Sequence, residues 1–458
     1  MSMFAKLKRR AAEGNPVRVG LIGAGKFGSM FLSQAWRTPG IHLVGVADLS
    51  PANARASMRR VGWADERFAA ASLEDAARSE RTFVTDDSAA MIASPFIDIV
   101  IDATGSPAAG IRHVLAACAH RKHVVMVNVE ADALAGPLLA RRAAEAGIVY
   151  SMASGDQPAL IAELVDWART TGFEVVCAGK GTKYLPVYHA STPDTVWGHY
   201  GFSESQVAGG DFNPQMFNSF LDGTKSALEM AAVANGCDLS PPDDGLAFPA
   251  CGVDDLPTVL RPVSEGGILP RKGTVEVVSS IERDGRPVFR DLRWGVYAVF
   301  EAPTRYVEDC FRQYGLKTDE SGRYAAMYKP YHLIGLELGT SVASIATRGE
   351  PTGSTLDWRG DVIAVSKRAL KEGETLDGEG GYTVYGKVVP AETSLRLGAV
   401  PIGLAHGLTL RQAVAAGQPV RWTDVRLKDG TAGANEAIAF RQEMEAVFRR
   451  EKGLGEAA

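Results

Sequence analysis

A short apolar run that breaks into three spaced glycines and then into a helix constrains this chain more than any other feature. In "VRVGLIGAGKFG" the segment Val17–Ile22 reads as a buried strand, Gly23-x-Gly25-x-x-Gly28 as a turn, and "KFGSMFLSQAWRT" as the helix that follows. That order is the dinucleotide-binding fingerprint: Gly23 permits the tight turn, Gly25 lets backbone approach a pyrophosphate, and Gly28 lets the helix pack on the strand. Lys26 and Phe27 open the helix, whose N-terminus stabilises phosphates. The next strand, "HLVGVAD", ends in Asp48. A carboxylate there accepts hydrogen bonds from ribose hydroxyls and repels a 2′-phosphate, so NAD(H) is expected over NADP(H), although Arg55 lies seven residues on. The strands continue as "FIDIVIDATG", "HVVMVNVEAD" and "IVYSMA", which predicts an α/β, doubly wound parallel sheet. Polar residues at the carboxyl ends of such strands face the ligand cleft, which selects Thr104, Gly105, Asn128 and Glu130. His113, His120 and His123 are expected as surface histidines, and residues 52–80 as a peripheral helical insertion.

The chain has 458 residues, which implies two or three domains. We expect a dinucleotide-binding domain over 1–152, a second α+β catalytic domain over 153–347, a small β-rich domain over 360–430 and a helix over 434–453. A net charge of −5 without a basic run excludes nucleic acid as an expected partner. The chain shows no apolar signal core or long charge-free apolar stretch, so no membrane partner is expected and the cytoplasm is the expected compartment. The five cysteines are scattered without a C-x-x-C pair, as in reduced thiols.

In the middle of the chain "FEVVCAGKGTKY", "GTVEVVSSI", "WGVYAVFEA" and "HLIGLEL" read as strands of a mixed sheet. Lys180 and Lys183 then fall in a glycine-rich loop, where an ammonium can reach an anionic substrate group. "SFLDGTKSALEMAAVANG" reads as one helix on which Asn218, Asp222, Lys225, Ser226 and Glu229 share a stripe. The stripe is open to three readings: a solvated face, a helix cap at Asp222, or catalytic groups. Glu130, Asp132 and Asp156 could hold a divalent metal such as Mg2+ or Mn2+ through oxygen ligands, and structural salt bridges account for them equally well.

The strings "NPVRVGLIGAGKFG", "IDIVIDATGSP", "NVEAD", "AGKGTK", "FLDGTKSALEMAAVAN", "SEGGILPRKG" and "YKPYHL" resemble the homoserine dehydrogenase-like oxidoreductases that carry a C-terminal SAF (antifreeze-like) domain. Within them the chain looks most like the deoxyxylulose-phosphate reductoisomerase-like proteins. The resemblance implies a hydride-transferring enzyme with a nicotinamide cofactor and an SAF-like C-terminal domain. Reductoisomerases of that group act with NADPH and a divalent metal, from which Asp48 departs. Homoserine dehydrogenases place a lysine where this chain has Glu130, and carry an aspartate and a lysine about one turn apart on a helix. By that match Asp222 and Lys225 enter the active site, with Lys225 as proton donor and Lys180, Lys183 and Glu130 as further candidates. The expected function is therefore an NAD(P)-dependent oxidoreductase acting on a small polar carbonyl or hydroxyl substrate, acidic or phosphorylated. That reading includes a reductoisomerase-like enzyme; the alternatives are a simple NAD-dependent hydroxy-acid or homoserine-type dehydrogenase and a non-catalytic NAD-binding sensor. The expected partners are a small-molecule substrate and further copies of the chain, as a homodimer or higher homo-oligomer.

Overall fold

The structure, a computed structural model, describes residues 2–209, 213–426 and 432–454. Contacts divide the chain into two units: one runs to Glu163 and adds His332–Leu356, and the other holds Leu164–Tyr331 and the chain from Asp357 on.

The first unit is built on six parallel strands, β1 (Val17–Ile22), β2 (Ile41–Ala47), β3 (Phe83–Thr85), β4 (Ile99–Asp102), β5 (His123–Met126) and β6 (Tyr150–Met152), in the order β3-β2-β1-β4-β5-β6. They read as nearly continuous apolar runs because a parallel sheet is covered on both faces. Strand order reverses between β1 and β4, which creates the switch point at which α/β sheets bind ligands. Val19, Leu21, Ile101 and Val125 fill the core with Phe31 and Leu32.

Two expectations change here. Residues 52–80 are not peripheral, since Met58, Trp63 and Phe68 are buried in the same core and Trp63 Nε1 donates to Leu32 O at 2.8 Å. The segment "HLIGLEL" forms turns, not a strand, and leads into the helix Gly339–Arg348, whose Val342 and Ile345 join that core. Ser154 N donates to Ser341 Oγ at 2.8 Å, and Met152 N donates to Gly353 O at 2.8 Å, so the returning segment closes the far end of the unit.

The second unit holds a mixed sheet of β7 (Glu174–Thr182), β8 (Thr274–Ser279), β9 (Val296–Glu301) and β10 (Tyr324–Lys329), in the order β10-β9-β7-β8. Lys180 belongs to β7 itself and not to a loop after it. Its glycine neighbours serve close approach, because a Cβ at Gly179 or Gly181 would collide with the carbonyl oxygens of Glu276 and Leu292.

The C-terminal segment contributes the antiparallel pair β11 (Gly360–Ser366) and β12 (Val384–Pro390). It belongs to the same unit as the middle of the chain, bonded to the helix Thr224–Cys237 at both ends. Arg359 N and Gly360 N donate to Asn235 Oδ1 at 2.8 and 2.9 Å, and Gly386 N donates to Thr224 Oγ1 at 2.8 Å. The expected end of the β-rich segment at 430 lies outside the described residues. The last helix, Ala432–Glu451, sends Arg441 into the interior, where it grips Asp361 with bonds of 2.9 and 2.6 Å. Among the described residues no helix is long and apolar enough to cross a membrane.

Candidate functional site

In the first unit the three fingerprint glycines do separate things. Gly23 has φ 93°, and a Cβ on it would stand 2.7 Å from Ala103 O, so both conformation and space demand glycine. A Cβ on Gly28 would lie 2.1 Å from Gly23 O, which is the close helix-to-strand packing. Around Gly25 a Cβ would meet nothing within 4 Å. That open space lies at the cap of the helix Lys26–Ala35, whose first-turn N–H groups lack intrahelical partners. A dinucleotide pyrophosphate fits there. Lys26 is exposed at the start of the helix, and Phe27 packs against the core.

Asp48 is fastened from two sides. Its Oδ2 accepts from Ala24 N at 2.8 Å and its Oδ1 from Ser50 N at 2.9 Å. The carboxylate thus both shapes the glycine loop and stands where the sequence places the ribose.

The loop after β4 is equally ordered. Thr104 donates to Asp102 Oδ1 through N (2.9 Å) and Oγ1 (2.7 Å), and Asn128 Nδ2 donates to Thr104 Oγ1 at 3.1 Å. Gly105, at φ 66°, faces open space like Gly25. Thr104, Gly105 and Asn128 are therefore brought together. His113 is not a surface histidine: its Nδ1 lies 2.9 Å from Oδ2 of the fully buried Asp102, and its Nε2 lies 3.2 Å from Ser88 Oγ. His123 is half-buried as well and accepts from Val149 N at 3.0 Å, and burial lowers its pKa.

Asn128 also ends the strand early. Its Oδ1 accepts from Ala131 N, which caps the helix Val129–Glu145, so Glu130 and Asp132 stand in a first helical turn and not at a strand end. Positions two apart on a helix point in nearly opposite directions. Asp132 turns inward to accept from the hydroxyls of Tyr150 (2.7 Å) and Thr355 (2.8 Å), and burial raises its pKa. Glu130 is half-buried, while Asp156 is buried with its Oδ1 accepting from Gln157 N. Among the described residues no three His, Cys, Asp or Glu side chains form a group that could hold a metal ion. This trio does not fit one.

In the second unit the expected single helix is two. Pro214–Leu221 and Thr224–Cys237 meet at Asp222-Gly223, where Gly223 takes φ 92°. Asp222 therefore leaves the stripe. Its Oδ1 accepts from Thr224 N at 2.9 Å, and its Oδ2 pairs at 2.8 Å with the ammonium of Lys367, a residue sequence reasoning passed over. Both side chains are buried, and burial raises the Asp222 pKa against the pull of Lys367. The remaining Lys367 bonds go to Ser191 O and Gly381 O, both at 2.7 Å. Lys225 and Glu229 stay one turn apart on the second helix, and Glu229 pairs with Lys180 across the interior. Lys183 donates to His199 O at 2.6 Å, and burial, then Arg293, lowers its pKa.

Residues 17–126 match the family described as an oxidoreductase family with an NAD-binding Rossmann fold, GFO/IDH/MocA, and residues 155–338 match the family described as Oxidoreductase DRL, catalytic domain. No curated protein matches the chain. Among solved structures, a probable dehydrogenase from Thermotoga maritima is similar at 15% identity and TM-score 0.38, over 73% of this chain and 90% of that one. A homoserine dehydrogenase from Thiobacillus denitrificans is similar at 16% and 0.39, over 72% and 74%. The 1-deoxy-D-xylulose 5-phosphate reductoisomerase from Zymomonas mobilis, in complex with NADPH, is similar at 17% and 0.33, over 48% of this chain and 57% of that one. At such identities and TM-scores these neighbours bear on neither substrate nor mechanism.

Proposed function

We propose that this chain, an NAD(P)-dependent oxidoreductase with a Rossmann nucleotide-binding unit, moves a hydride between NAD and a small acidic or phosphorylated carbonyl or hydroxyl compound. The observation that supports NAD is the double fastening of Asp48. Swinging the carboxylate aside to admit a 2′-phosphate would strip two backbone N–H groups of their acceptor. Gly25 and the first turn of its helix hold the pyrophosphate, while Thr104, Gly105 and Asn128 line the loop after β4.

When bound, nicotinamide supplies or accepts the hydride. Lys225 donates a proton to the developing alkoxide, or receives it back in the oxidative direction. Glu229, anchored by Lys180, sets the charge one turn beyond Lys225, and Asp222 with Lys367 fixes the start of the helix that carries it. Asp222 is thus a positioning residue. Glu130, Asp132 and Asp156 do not form a shared three-ligand group, so the reading here is a plain dehydrogenation, which the metal dependence of the reaction distinguishes from a reductoisomerase-like one.

The test is to supply the purified chain with NADH or NADPH and a panel of ketose phosphates and keto acids, following nicotinamide absorbance. We expect NADH to be consumed with at least one member, at a kcat/KM about tenfold or more above that with NADPH. A preference for NADPH overturns the cofactor assignment. Loss of activity in chelator, restored by magnesium or manganese, overturns the plain dehydrogenase.

A further inference from the structure

A second ligand-sized space lies in the second unit, on the other side of the helix Thr224–Cys237 from Lys225. It is a cavity of about 130 Å³, and Gly223 and Ala227 line it. These two positions are one turn apart and share a face, so Lys225, midway between them, points away. β12, packed on the start of that helix through Gly386, contributes Tyr385 and Lys387 to the lining.

Three features give the cavity a chemical character. Lys387 is half-buried, its stem crossing Gly245 so closely that a Cβ there would stand 2.7 Å from Lys387 Cε. Among the described residues its ammonium has no hydrogen bond or ion pair, and neither has the carboxylate of Asp244, which is exposed at the rim of the same cavity. Opposite charges thus line one small space without meeting as a pair.

The remaining polar wall is neutral. His189 Nδ1 lies 2.7 Å from Asp222 O, and because a carbonyl only accepts, Nδ1 carries the proton. Nε2 is then the acceptor for Tyr184 O–H at 2.9 Å. Burial lowers the His189 pKa and keeps the ring uncharged. The floor is aromatic: Tyr385 stacks on His189 with centroids 4.5 Å apart, and Phe248 stacks on Tyr184 at 4.0 Å.

We propose that this cavity binds a small zwitterion, its carboxylate at Lys387 and its ammonium at Asp244 over the aromatic floor. A simple anion would face Asp244 unanswered, and a simple cation would face Lys387. The volume indicates the size of the part that the walls enclose. Cavities of about 150 Å³ accept benzene, so the ligand has about six to eight non-hydrogen atoms, the range of alanine and serine. This ligand is not the hydride-transfer substrate, and the site stands whether or not the oxidoreductase reading of Lys225 does.

The experiment is titration calorimetry on the full chain without cofactor, using L-alanine and L-serine as probes. Lactate, which replaces the ammonium by a hydroxyl, and alaninol, which replaces the carboxylate, are the controls. We expect at least one amino acid to bind with a Kd near or below about 1 mM, and each control to bind about tenfold or more weakly. Lys387→Met should weaken the amino acid about tenfold, and Asp244→Asn should do the same without weakening lactate. Neither side chain is bonded in the free protein, so both variants should keep the parent thermal midpoint. Asp244→Asn, at the exposed rim, stays informative if Lys387→Met does not fold. The proposal is overturned if neither amino acid binds, if lactate binds as tightly as alanine, or if binding is indifferent to the substitutions made.

Discussion

At Gly25 and Gly28 the same substitution class separates binding from folding. Gly25 has an ordinary φ of −67° and open space around it, so Gly25→Val should keep the parent thermal midpoint and lose NAD binding, as read by calorimetry. Gly28→Ala should fail to fold, since the added carbon would stand 2.1 Å from Gly23 O. Retained NAD affinity in Gly25→Val would move the nucleotide site elsewhere. A single residue also sets a pH response. Glu276 on β8 is fully buried, with Oε1 accepting from Ala247 N, Phe248 N and Val277 N, and burial pushes its pKa from 4.5 up to about 7. Between those values the unfolded chain loses the proton while the folded chain keeps it. Stability from this group therefore falls as pH rises through that window and is level on either side, a drop of about 3 kcal/mol. Glu276→Gln retains the Oε1 acceptor and should flatten the difference in urea-unfolding free energy between pH 4.5 and 7. An unchanged slope would show that Glu276 does not carry it.

The helix Thr224–Cys237 is where element and function meet. Lys225→Met removes an ammonium and keeps the apolar stem, so turnover should fall about 10²–10⁴-fold while folding and NAD affinity hold. Parent-like turnover would return Lys225 to a solvated face. Lys367→Met should act differently, destabilising the chain by about 3 kcal/mol because Asp222 is left buried and unpaired. The loss should shrink as pH falls, since a carboxyl whose pKa is raised can take up a proton; a loss independent of pH would contradict the pairing. These elements also show what a sequence can carry. The glycine loop, Asp48 and the Thr104 loop were legible because each works through neighbours a few residues apart, where spacing fixes geometry. The break at Asp222-Gly223 was not read, because a continuous helical stripe runs across it, although a cap at Asp222 was among the readings left open. Lys367 and Tyr385 left no signal, since their partners lie far along the chain and only tertiary packing joins them. His113 was misread for a related reason: a helix residue can reach back to Asp102 at the end of the preceding strand, and a helical pattern alone does not show which face does so.

On the scale of the whole molecule, the family matches and the strand order agree with the fold class expected from the sequence, while the division of the chain is less simple than a string of domains. The nucleotide-binding unit needs His332–Leu356, which supplies core residues Leu338, Val342 and Ile345 and the partners of Met152 and Ser154. A polypeptide ending at Glu163 should therefore show a lower thermal midpoint and weaker NAD binding than one with residues 332–356 joined on by a flexible linker. Equal midpoints would show the returning segment to be dispensable. The return has a consequence during synthesis. A ribosome adds about 5–20 residues per second, so the 193 residues from Leu164 to Leu356 that follow the first part delay completion of the unit by about 10–40 s. Over that interval a nearly finished parallel sheet waits with part of its core uncovered, while the chain that must cover it is still being made. Slow codons or a chaperone acting in that stretch before His332 would govern the yield of the nucleotide-binding unit without touching a residue of it.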